Sequence, residues 1–107
     1  MSLKSRFAPQ FNPRIRDRGF AYFRGGAVKI LEHSDFHVLA QVEGTLDYFV
    51  KLTLTLNSLD VACTCPYFDD GKDCKHIWAT ILAADSKNYL SEVDLCGPLK
   101  LVYDDEA

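Results

Sequence analysis

No stretch of this 107-residue sequence is apolar for long enough to span a bilayer, which excludes a helical membrane span. The opening residues, Met1-Ser2-Leu3-Lys4-Ser5-Arg6, lack the apolar segment of a signal peptide and predict an intracellular, cytoplasmic chain. No Gly-x-x-x-x-Gly-Lys-[Ser/Thr] loop is present, so the chain is not expected to turn over a nucleotide. Internal repeats and low-complexity tracts are missing too, and there are too few residues for two independent cores. What is there is globular in composition: 48% hydrophobic and 25% charged, which excludes wholesale disorder. One domain over residues 1–107 is the expectation.

Arginine is absent beyond Arg24. Residues 1–30 carry seven basic side chains against the single acid Asp17, a balance of +6, whereas the remainder carries five lysines against fourteen acids, a balance of -9. Such asymmetry is what a local basic face looks like in sequence; a solvated helix with a few salt bridges to the acidic remainder accounts for it equally well. The formal net charge of -3 argues against strong non-specific nucleic-acid binding by this chain alone, because phosphate contacts need a supply of cations. Arg14, Arg18 and Arg24 are the best candidates for contacting an acidic or phosphate partner, since the guanidinium fork suits both.

Along the chain, residues 1–11 read as a loose lead-in with Pro9 and little periodicity. Asn12 as N-cap, Pro13 as first helical residue and Gly25-Gly26 at the far end then predict a helix. At about 100° per residue, Ile15, Gly19, Tyr22 and Phe23 share one side and Arg14 and Arg18 the other. From Ala27 the period becomes two: Val28 and Ile30, then Val38, Ala40 and Val42, then Val50, Leu52, Leu54 and Leu56, then Val61 running into Cys63. Strands this close in sequence pair as an antiparallel meander. A second helix begins near Cys74, with Ile77, Trp78, Ile81 and Leu82 as its apolar stripe and alanines allowing close approach to the sheet. His33 and His37 flank a turn and read as solvated. Part of the tail through Leu99–Tyr103 is expected to dock, and residues 104–107 to fray. The fold class is α+β: an N-terminal helix, a meander of about four strands, and a closing helix.

The chemistry is concentrated in one window. Cys63-Thr64-Cys65 is followed by eight residues and then Cys74-Lys75-His76. Zinc favours four sulfur and nitrogen donors in a tetrahedron. On an extended strand, residues two apart point the same way, so Cys63 and Cys65 can reach one ion. On a helix they diverge by about 200°, so Cys74 must stand at the helix start with His76 in the first turn. There the positive end of the helix dipole favours thiolate at Cys74. With four protein ligands no position is open for water or substrate, which makes one zinc structural rather than catalytic. Three thiolates leave the site near -1, a charge that Lys72 or Lys75 can offset. Two alternatives stand beside zinc: buried and reactive thiols without metal, and a nucleophilic Cys74 or Cys65 with His76 as base. A disulfide framework fits poorly with an intracellular setting and a Cys-x-Cys spacing. Cys96 has no partner at ligand spacing, and Tyr67 and Phe68 either pack over the site or face a partner.

Cys-x-Cys followed by Cys-x-His after a strand and into the alanine-rich run Cys74-Lys75-His76-Ile77-Trp78-Ala79-Thr80-Ile81-Leu82 resembles the SWIM zinc finger, over roughly residues 60–84. Upstream, Arg18-Gly19, Tyr22, Gly26, Val28 and Val42-Glu43-Gly44 are similar to the strand-rich region that precedes the finger in bacterial SWIM proteins. The resemblance implies a ββα finger that binds zinc and serves DNA or protein contacts, often attached in bacteria to Swi/Snf-type helicases and elsewhere found in transposases and ubiquitin-pathway proteins. Two features depart from that pattern. The finger loop is acidic at Asp69, Asp70 and Asp73, which disfavours phosphate there. No helicase motif is present, so any ATPase lies on another segment or chain. The expected function is a zinc-binding interaction module, not an enzyme and without a small-molecule substrate. Its partner is DNA, through Arg14, Arg18, Arg24 and Lys75, or a protein such as an attached helicase. A purely protein–protein adaptor is the alternative.

Overall fold

The computed structural model describes Lys4 and residues 7–44, 47–55, 58–64, 74–90 and 100–103. Helix α1 spans Pro13–Arg24. It starts where the sequence signals a start: the Asn12 side chain accepts a hydrogen bond from the Arg14 N–H at 2.8 Å, and Pro13 occupies the first turn. It stops at Gly26, whose φ of +76° is the left-handed conformation that lets Ala27 N–H reach the Tyr22 carbonyl at 3.0 Å.

Strands β1 (Val28–His33), β2 (His37–Glu43), β3 (Asp47–Leu54) and β4 (Ser58–Cys63) form the antiparallel meander. Register follows the alternation: Val38 pairs with Leu52 and Leu52 with Val61, while Ala40 pairs with Val50 and Val50 with Cys63. One sheet face is therefore a continuous apolar surface. A bulge between Ile30 and Glu32 shifts the β1 register at the sheet edge.

Helix α2 (Lys75–Ser86) packs on that face against all four strands and against α1 as well. Residues 76–84 are buried without interruption, which for a helix means cover on every side. The expected stripe is thus only part of the buried surface of a helix enclosed between the sheet and α1, and Trp78, one of its members, meets Gly19 of α1. After α2 the chain returns to add β5 (Lys100–Tyr103) parallel to β4. The docking of the tail takes the form of a fifth strand, and β4, α2 and β5 make the crossover that parallel pairing requires. Meander periodicity gives no hint of it.

The N-terminal segment also differs from expectation. Ala8–Gln10 is a 3-10 turn flanked by Phe7 and Phe11, both buried in the core, and the Phe11 ring lies 5.1 Å from that of Trp78. Residues 7–11 are an anchor, not a loose lead-in. Two aromatic side chains reach the core from a short turn that leaves no periodic trace in the sequence. His33 is exposed as expected, yet it stacks on Tyr89 at 3.9 Å, joining the end of β1 to the residues after α2. Leu56, Cys65, Tyr67, Phe68, Lys72, Cys96 and residues 104–107 lie outside the described residues. Among the described residues no helix is long and apolar enough to cross a membrane.

Candidate metal centre

Cys63 is the last residue of β4, on the sheet face that carries α2 and opposite Val50. The strand end is pinned: Thr64 N–H donates to the Phe49 carbonyl at 3.2 Å, and the Thr64 hydroxyl accepts from the Phe49 N–H at 3.0 Å. Cys74 stands at the N-cap of α2 with extended backbone, φ -107° and ψ 126°, and His76 is the second helical residue. This change of backbone between Cys74 and His76 turns two side chains that a continuous helix would separate toward the same point.

The three donor atoms, Cys63 Sγ, Cys74 Sγ and a His76 ring nitrogen, lie within 4.8 Å of one another. His76 Nδ1 is 3.3 Å from Cys74 Sγ and 3.8 Å from Cys63 Sγ. Zinc bonded to sulfur and imidazole at the usual lengths gives a tetrahedron whose sulfur–nitrogen edges are about 3.5 Å. The two observed separations bracket that edge, so the donor set fits zinc in both identity and spacing. Cys63 and Cys74 are each 1% exposed and His76 2%, which leaves the donors in the core rather than in a cleft. Two cysteine sulfurs and an imidazole brought together out of water are the donor types that a soft metal such as zinc selects.

Cys65, the fourth ligand expected from the sequence, lies outside the described residues. Arg14, Arg18 and Arg24 are exposed on α1. Lys75 is half-buried and faces α1, its Nζ 5.5 Å from the centre of the Tyr22 ring. The four basic residues thus belong to α1 and the adjoining first turn of α2. Two residues at the centre went unread in the sequence. Tyr48 stacks on His76 at 4.5 Å, and Tyr22, which the sequence placed on the apolar side of α1 and in the upstream resemblance but not at the metal, meets the same ring edge-on at 5.2 Å. The inward parity of Val50, Leu52 and Leu54, continued two residues upstream, would have pointed to Tyr48.

The SWIM zinc finger family model matches residues 48–85, from the second residue of β3 almost to the end of α2. It begins upstream of the Cys/His motif and takes in β3, which pairs directly with the strand that carries Cys63. An uncharacterized protein of Methanocaldococcus jannaschii is 33% identical over 86 residues, which make up 79% of this chain and 35% of that protein. The chain therefore spans about a third of the length of this relative. No solved structure matches the chain. The SWIM match and the Cys63/Cys74/His76 group together support zinc as the cofactor.

Proposed function

We propose, from the match of residues 48–85 to the SWIM zinc finger family model, that residues 1–107 form one zinc-stabilised interaction module serving a larger nucleic-acid-processing protein or complex. Cys63, Cys65, Cys74 and His76 hold a single structural zinc that ties the end of β4 to the start of α2. The convergence of three of these donors within 4.8 Å is the observation that carries the reading. Four protein ligands leave no open position for substrate, so the module binds rather than catalyses. Any ATPase or helicase activity belongs to another segment or chain.

The partner is acidic, and DNA is the reading favoured by the arginines. Arg14, Arg18 and Arg24 are exposed on a helix seated on α2, and Lys75 opens α2 with its Nζ over the Tyr22 ring of that helix. The acidic balance of the whole chain, -3, supports a protein partner as the second reading. Metal analysis comes first: one zinc per chain is expected, with the ligand thiols protected from alkylation until chelator is added. A salt titration of duplex and single-stranded DNA binding then separates the partners. Four phosphate contacts give a slope of about -3.6 in log K against log salt, and removing one arginine reduces its magnitude by about one. DNA affinity that stays undetectable at low salt would leave the protein adaptor.

A further inference from the structure

Among the described residues, His76 lacks the usual support of a metal-bound histidine. Such a ring normally donates its second N–H to a carboxylate, a carbonyl or a water, which fixes both tautomer and ring plane. Here Nδ1 faces the two sulfurs, and Nε2 is buried with no hydrogen-bond partner among the described residues. A ring torsion of this kind is broad and roughly two-fold, so by itself it would not hold one nitrogen toward the metal. Two aromatic rings hold it instead. Tyr48 stacks on the imidazole with centroids 4.5 Å apart and planes 29° apart, and Tyr22 meets it at 5.2 Å and 72°.

The two tyrosines come from separate elements and are themselves held in place. Tyr48 sits in β3 opposite Val42, on the face that α2 covers. Tyr22 sits in α1 one turn after Gly19, whose missing side chain lets α1 approach the Lys75 carbonyl and Trp78. Lys75 Nζ stands over the Tyr22 ring at 5.5 Å. One tyrosine is thus fixed by the sheet and the other by the contact between the helices.

We propose that Tyr22 and Tyr48 are positioning residues of the metal centre, a two-ring clamp that orients His76 in place of a hydrogen bond to Nε2. The inference rests on the zinc reading above. It also makes α1, which lies outside the matched segment 48–85, part of the apparatus that sets metal affinity.

The test uses the full chain with zinc, and with cobalt(II) as a spectroscopic substitute. Tyr22→Leu and Tyr48→Leu are expected to weaken zinc binding by about 10–100-fold in chelator competition, and to alter the cobalt d–d bands. Tyr22→Phe and Tyr48→Phe keep the rings and are expected to restore both. Leu54→Ala, in the core on β3 but without ring contact to His76, serves as the stability control and should leave the cobalt spectrum unchanged. Leucine variants with unchanged affinity and spectrum would overturn the clamp. So would phenylalanine variants as impaired as the leucine ones, or a Leu54→Ala spectrum altered to the same degree. Failure of the unmodified chain to take up cobalt would end the zinc reading and the clamp together, whereas normal uptake with insensitive tyrosines would end the clamp alone.

Discussion

Helices α1 and α2 have the same length, twelve residues each, and opposite surroundings. In α1 Gly19 is the one buried residue, Arg14, Arg18, Arg24 and Phe20 are exposed, and Arg16 is half-buried. In α2 residues 76–84 are all buried. Their ends differ as well. α1 is closed by local chemistry, an asparagine cap at one end and a left-handed glycine just beyond the other. α2 begins at Cys74, which makes no side-chain capping hydrogen bond. In the zinc reading its start is fixed by the metal. The comparison separates two tasks: α2 carries the structure and the metal, and α1 displays charge on top of it. Gly19 and Tyr22 are where the two meet.

Four substitutions test that division. Ile81→Ala, at the centre of the enclosed helix, is expected to cost about 2–5 kcal/mol in urea unfolding of the zinc-loaded chain. A loss well under this range would mean that α2 is less tightly enclosed than its burial indicates. Gly19→Ala addresses the seam. A Cβ there would stand 2.8 Å from the Lys75 carbonyl oxygen and 2.7 Å from Trp78 Cδ1, so the helices must move apart. The expected cost is about 1–3 kcal/mol by the same assay. A neutral result would show that the two helices are not locked together. The smallest effect is expected for Arg14→Ala and Arg18→Ala, both exposed, which should change stability by no more than about 0.5 kcal/mol. A larger loss would place these arginines in the structure rather than on a display surface.

Local signals were legible wherever the cause is local. Asn12, Pro13 and Gly26 mark α1 because capping and left-handed turns depend on a few adjacent residues. The alternation through Val38, Leu52 and Val61 marks the meander because one sheet face is buried. The placement of Cys74 at a helix start follows from the angular step of a helix, which two ligands two residues apart cannot share. Long-range contacts were not legible. Phe7 and Phe11 act as anchors through one short turn, and the parallel β5 depends on where α2 delivers the chain. The bulge in β1 left no mark in a run that alternates only over Val28 and Ile30.

Taken alone, the sequence determined the class of the fold and the chemistry of its centre, since periodicity, caps and the Cys/His spacing act over a handful of neighbouring residues. Only the tertiary structure decided that α2 is enclosed on all sides, that the tail becomes a strand, and that His76 lies between Tyr22 and Tyr48. Those outcomes rest on contacts between residues far apart in the chain, and no local pattern specifies which distant surfaces meet once the core closes.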